Sequence, residues 1–310
     1  VNDPSTEKIS NDYQLLCSSG GDGIVERDVI AVAGPDSARY LQGQLSQDVV
    51  AMAGDSVWSF LLGPNGKVDA WLRVHRLDAE SYLLEVEEGW GEIVVTRLKR
   101  FLLRTKATIS EPQRAQLVQR RWSSETIRLG AEVIGDELVV MPVGPDAAGV
   151  DLLVLDAAAT EVGDLTGVLV SSESLERYRI AHGIPQMGSE LTADTIPGEA
   201  GEWVIDASVS FTKGCYTGQE LVARIDSRGN NVPHPIRLLV LDVDAAVGDE
   251  VLVDGATVGS LTSVTPALGA GLPALALARV GRAVVPGGSV AVQSGSVVAP
   301  ASVVEPGSVC

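Results

Sequence analysis

The sequence predicts an α+β protein, with α/β units over residues 1–232 and a small antiparallel β-barrel or sandwich over residues 233–310. Three observations carry this. Strand-like and helical patterns alternate along the first two thirds of the chain. At NNVPHP the texture changes to short valine and alanine strands broken by VGD, DGAT, TPALGAG and VPGGS. The 310 residues also exceed the usual size of one domain.

The elements follow in order. GIVERDVIAVAG reads as a β-branched strand ending in a glycine turn, and PDSARYLQGQLSQDV follows as a helix opened by proline. The preceding SGGDG lacks the spacing of a dinucleotide fingerprint and reads as a flexible loop. SVWSFLL and KVDAWLRVHRL flank GPNGK as a hairpin, because Asn65 and Gly66 both accept positive φ; the segment lacks the spacing of a phosphate loop. SYLLEVE is a strand, WGEIVVTRLKRFLL carries apolar residues at helical spacing, and KATIS returns to strand. Residues 111–166 hold short strand-like runs, EVI, ELVVM and VDLLVL, between Gly and Pro turns. SSESLERYRIAHG is a helix capped by serine and stopped by Gly183 and Pro185, and YTGQELVARIDSRG starts another directly after a cysteine.

Composition narrows the function. With 41 acidic and 23 basic residues the formal net charge is -18, which opposes binding to nucleic-acid phosphates or anionic membranes. The N-terminal residues lack the basic start and apolar core of an export signal, and no apolar run is long enough to span a bilayer. Cys17, Cys215 and Cys310 form no CxxC pair and are too scattered for a disulfide framework, so reduced thiols in a cytoplasmic protein are expected. His75, His182 and His234 show no ligand spacing, and no metal site is assigned.

KGCYTGQE is the candidate functional centre. It places Cys215 between Lys213 and the expected first turn of a helix, and both neighbours favour thiolate. The alternative is a buried cysteine packed as a small hydrophobe.

The octet Lys213-Gly214-Cys215-Tyr216-Thr217-Gly218-Gln219-Glu220 resembles the signature of the YgfZ family, relatives of the glycine-cleavage T-protein and of mitochondrial iron-sulfur assembly proteins. The resemblance extends through VAGPDSARYLQGQLSQDV, RYRIAHGIPQMGSEL, IPGEAG and VGSLTSVTPALGAGLPALALARV, and so covers most of the chain. It implies a cloverleaf of two interleaved α/β units plus a C-terminal barrel, enclosing a site for tetrahydrofolate or a one-carbon derivative. It also implies support of iron-sulfur enzymes, including those that modify tRNA, with folate and iron-sulfur client or assembly proteins as partners.

Two departures from the T-protein pattern stand out. The hairpin reads Asp69-Ala70 where T-proteins carry paired aspartates, and the helix end reads Ala181-His182-Gly183 in place of Glu-Ala-Gly. A pterin edge needs a carboxylate partner. Asp69, Glu199 and Glu190 are the substitutes, in that order. Trp71 and Trp203 are candidate aromatic walls, Lys213 and Tyr216 flank the thiol, and Arg224 either neutralises a folate tail or pairs with Glu220 one helical turn earlier. The leading expectation is a folate-binding accessory factor with Cys215 as its reactive residue. Two alternatives stay open: an aminomethyltransferase of the T-protein type, and a protein-interaction module with a vestigial folate site.

Overall fold

The structure is a computed structural model that describes residues 4–52, 56–121, 132–134, 137–140, 149–155, 168–227, 229, 231–269 and 271–310. The chain opens with a helix that sequence periodicity did not mark, α1 (Pro4–Ser18), leading into the long strand β1 (Gly21–Ala33). Only Ser19 and Gly20 of the SGGDG segment connect the two elements; the rest is not a loop. Gly21, Asp22 and Gly23 belong to β1 and pair with Arg121, Arg120 and Gln119, and a Cβ on Gly23 would lie 2.7 Å from the Leu175 side chain. These glycines serve close packing under a helix, a role that looks like flexibility in a one-dimensional reading.

β1 joins two halves of one antiparallel sheet. Its C-terminal half pairs with β4 (Ser81–Glu87), which continues to β3 (Val68–Arg76) and β2 (Ser56–Leu62). Its N-terminal half pairs with β6 (Gln113–Arg121), which continues to β9 (Gly149–Val154), β8 (Glu137–Val140) and β7 (Glu132–Ile134). The short β5 (Thr108–Ile109) pairs with the end of β1. The β2–β3 hairpin forms as expected, with a correction to its turn. Gly66 alone adopts positive φ (+79°) and donates to the Gly63 carbonyl, with Pro64 and Asn65 between them. Proline at the second position of the turn fixes its own φ and removes the need for two left-handed residues.

Strand alternation gives the sheet two unlike faces. Ile30, Val32, Leu61, Ala70, Leu72, Val74, Leu84 and Val86 pack beneath α2 (Ser37–Gln44) and α3 (Gly91–Lys99). The opposite face carries Trp71, Arg73, His75, Glu85 and Arg27. Arg73 Nη1 donates to Asp151 Oδ2 at 2.7 Å, although β3 and β9 lie four strands apart in the sheet. In a flat sheet that separation would be about 19 Å. The sheet must therefore curl, and this face is the inside of a trough. Helix α4 (Ser172–Ala181), N-capped by Ser171 accepting from the Ser174 N–H, packs beside it and ends at Gly183 with φ +61°.

A 3-10 turn (Pro197–Ala200), α5 (Glu202–Ser208) and α6 (Gln219–Asp226) precede the barrel. Its six strands are β10 (Ile236–Leu241), β11 (Glu250–Val253), β12 (Ala256–Thr265), β13 (Ala274–Val280), β14 (Ser289–Ser294) and β15 (Val297–Val304), closed in the order β10-β13-β12-β11-β14-β15. Val251, Ala276, Ala278, Val280, Val292 and Val303 fill its interior; so narrow a barrel takes small side chains. Polar contacts dock it on the first region: Arg177 donates to the Pro266 and Pro273 carbonyls, and Arg279 donates to Glu199 at 2.6 Å.

The expectation of three reduced thiols is corrected. Cys17 and Cys310 form a disulfide, with Cα atoms 5.3 Å apart across 293 positions of sequence. The C-terminal tail returns to the first region, where Tyr13 Oη of α1 donates to the Val309 carbonyl and Gly307 N–H donates to Ala181 O at the end of α4. No spacing rule reveals such a pair, because tertiary packing creates it. The bond also removes the cysteine-based argument for a reducing compartment. We expect thiol titration of the unreduced protein to count one cysteine, Cys215, and Cys310→Ser to cost about 2–4 kcal/mol in denaturant unfolding. Three titratable thiols in the untreated protein would refute the bond.

Candidate functional site

Most of the KGCYTGQE motif is a mounting for its cysteine. Lys213 Nζ donates to the carbonyls of Gln42 (2.7 Å), Leu45 (2.7 Å) and Gln47 (2.8 Å), closing the C-terminal end of α2, where carbonyls lack helical partners. Burial pulls its pKa down to about 8, opposed by the nearby Asp48 carboxylate. The Thr217 N–H donates to Gly43 O, and the Tyr216 N–H donates to Gln219 Oε1. The Tyr216 ring packs at the edge of the cluster holding Phe60, Trp71 and Met187, and burial pushes its phenol up to about 12. Gly218 has φ +82°, and a Cβ there would lie 2.6 Å from the Gly63 carbonyl, so the hairpin turn and the motif loop can meet only with glycine at this position.

Cys215 is exposed, which sets aside the reading of a buried apolar thiol. The helix expected directly after it starts at Gln219, four positions on, and Lys213 is engaged by the three carbonyls. Neither of the two thiolate-favouring neighbours inferred from the sequence is therefore arranged as expected. What the loop does provide is a fixed, accessible thiol.

Asp69 lies beside the same hairpin turn. Arg97 Nε donates to its Oδ2 (3.1 Å), while the other Arg97 nitrogens donate to Leu62 O and Gln44 Oε1. Burial raises the Asp69 pKa and Arg97 draws it back. Asp69 and the motif loop thus share supports, the hairpin turn and the end of α2.

The trough encloses a cavity of about 400 Å³. Trp58 and Trp71, stacked with ring centroids 4.2 Å apart, form one wall. Trp71 is pinned by Nε1 donating to Ser208 Oγ (2.8 Å), and its ring meets Trp203 edge-on at 6.1 Å. Arg27, Arg73, Arg121 and Arg179 also line the cavity, with Glu87, Tyr178 and Gln186. Below them Glu85 accepts from Arg27 Nε and Arg73 Nη2, both at 2.7 Å, and from His75 Nε2 at 3.2 Å; Asp151 accepts from Arg73 and Arg121. Three guanidiniums against two carboxylates leave this floor positive. Burial lowers the His75 pKa, so the imidazole adds no charge at neutral pH.

Of the residues singled out in the sequence, Trp71 lines this cavity. Trp203 lines a second cleft of about 530 Å³ between α5 and the barrel. Asp69 sits at the hairpin turn with Arg97, Lys213 at the end of α2, Tyr216 at the edge of the cluster holding Trp71, and Cys215 exposed on the motif loop; Arg224 is exposed on α6. Glu199 is bound to Arg279 of the barrel, and Glu190 is buried, accepting from Arg179, Thr262, Ser263 and the Gln186 N–H. Arg27, Arg73, Arg121 and Glu87 were not anticipated. A signal was present: in AWLRVHR and YLLEVE the charged residues recur at period two opposite an apolar face, which marks a strand with a polar buried side. Among the described residues no group of three or more His, Cys, Asp or Glu side chains could hold a metal ion.

Comparison with solved structures places the fold in the class of glycine-cleavage aminomethyltransferases. The aminomethyltransferase T of Bartonella henselae matches with a TM-score of 0.77 at 16% identity, covering 96% of this chain and 88% of that one. By sequence the chain is a homologue of the YgfZ and IBA57 proteins. The tRNA-modifying protein YgfZ of Klebsiella pneumoniae is 30% identical over 226 residues, 64% of this chain and 65% of its own length. An iron-sulfur cluster assembly factor IBA57 homologue of Mycosarcoma maydis is 27% identical over 222 residues, 66% of this chain and 53% of its own length. The match thus spans less than two thirds of either relative. No protein-family model matches the chain.

Proposed function

We propose that this protein is a tetrahydrofolate-binding accessory factor that supports the assembly or repair of iron-sulfur clusters in client enzymes, including tRNA-modifying ones. The observation that carries the reading is the trough cavity. Its volume suits a drug-sized ligand, its stacked tryptophans offer a flat apolar wall, and its arginines offer partners for carboxylates. Those features fit a folate, which joins a planar heterocycle to an acidic tail. Trp58 and Trp71 would flank the ring system, and the positive floor carrying Arg27 and Arg121 would face the anionic part. The bound folate would supply a one-carbon carrier or a redox-active pterin. The chain itself holds that ligand in the trough and presents the thiol of Cys215 on a separate, fixed loop. Similarity to an IBA57-type iron-sulfur cluster assembly factor supports the iron-sulfur role, and similarity to a tRNA-modifying YgfZ protein supports tRNA-modifying clients.

The aminomethyltransferase reading is less well supported. Asp69 is committed to Arg97, and its neighbour Ala70 points to the opposite face, fully buried in the apolar cluster under α2 and α3. An aspartate at position 70 would be buried without a polar partner, so the paired arrangement is not one substitution away.

The test is genetic. Expressed in a bacterium lacking its own YgfZ, the protein should restore iron-sulfur enzyme activity and tRNA thiolation; no restoration by well-expressed, folded protein would reject the proposal.

A further inference from the structure

Glu87 ends β4 on the trough side of the sheet, two residues after Glu85, and lines the cavity. The two carboxylates differ in their company. Glu85 is saturated by Arg27, Arg73 and His75, whereas both oxygens of Glu87 share one donor, the Met187 N–H, at 3.2 Å each. A carboxylate has about four acceptor positions.

The nearby cations are committed elsewhere. Arg27 stands opposite Glu87 in the β1–β4 register but directs Nε to Glu85, and Arg179 donates to Glu176, Glu190, Ser263 and the Ile184 carbonyl. Burial raises the Glu87 pKa, with Arg27 drawing it back. A sequestered acceptor beside an aromatic wall calls for a flat ligand edge bearing two parallel N–H donors.

Building on the folate reading, we propose that Glu87 receives the amino-pyrimidine edge of the bound pterin and thereby sets the specificity of the cavity. The carboxylates weighed from the sequence are engaged by the protein itself: Asp69 by Arg97, Glu199 by Arg279, and Glu190 by four donors. The helix end Ala181-His182-Gly183 supplies none.

The experiment is calorimetric titration of the full chain with tetrahydrofolate and with its analogue lacking the pyrimidine-ring amino group. Wild type should prefer tetrahydrofolate by about tenfold to a hundredfold, the range of a hydrogen bond to a charged group. Glu87→Gln should bind tetrahydrofolate correspondingly more weakly and lose the preference, with an unchanged circular dichroism spectrum. If wild type binds both ligands equally, or if Glu87→Gln keeps the preference, the assignment of Glu87 is overturned while the folate reading stands. If wild type binds neither ligand, the folate reading falls and this inference with it. If Glu87→Gln fails to fold, Glu87→Asp carries the same test: it should weaken tetrahydrofolate binding and reduce the preference, and a preference equal to that of wild type would overturn the assignment.

Discussion

Glu85→Ala is expected to destabilise the protein by about 3–5 kcal/mol, the usual cost of removing one partner from a buried ionic cluster. Glu85 is fully buried and accepts from Arg27, Arg73 and His75. Desolvation alone would raise its pKa, yet the guanidiniums of Arg73 and Arg27 hold it well below the usual carboxylate range. Because the folded pKa is depressed, this stabilisation is complete above the pH at which an unfolded glutamate ionises. It is lost as pH falls through the folded value. Without Glu85, the three guanidiniums of Arg27, Arg73 and Arg121 face Asp151 alone among the carboxylates of the cluster. Urea unfolding should show a lower midpoint at unchanged slope. A loss below about 1 kcal/mol would mean that the network contributes little to holding the curl of the sheet.

Cys215→Ala is expected to do the reverse, leaving stability intact and abolishing function. The thiol is exposed, and the loop is fixed by Lys213, Tyr216, Thr217 and Gly218 without its help. A surface change of this kind alters stability by about 0.5 kcal/mol or less. In the complementation assay the variant should accumulate like wild type yet fail to restore iron-sulfur enzyme activity. Full restoration would leave the thiol without a role, and a markedly lowered melting temperature would make it a structural residue.

Much of the fold was legible in the sequence because local chemistry dictates it. The period-two strands β1 to β4, the Ser171 cap of α4, the glycine after it and the valine-alanine texture of the barrel each depend on near neighbours. The site was less legible, since it depends on the curl of the sheet. Nothing in AWLRVHR says that Arg73 will reach Asp151 on β9, and nothing in KGCYTGQE says that Lys213 will be consumed by carbonyls some 170 residues earlier. The Cys17–Cys310 bond likewise depends on the tail returning to α1. The motif correctly marked a special loop. It did not show that most of its residues build the mounting for Cys215, nor that the ligand-sized cavity lies mainly on strands, which the motif meets only at the β2–β3 end around Phe60 and Trp71.

Crosslinking a photoreactive tetrahydrofolate to the intact protein and mapping the labelled peptides tests the folate site in the trough. Labels should fall on the trough segments that contain Trp58, Trp71, Glu87 and the α4 residues Tyr178 and Arg179, and should be competed by unmodified tetrahydrofolate. Competed labels confined to the barrel after Pro235 would place the folate outside the trough and refute the proposed site.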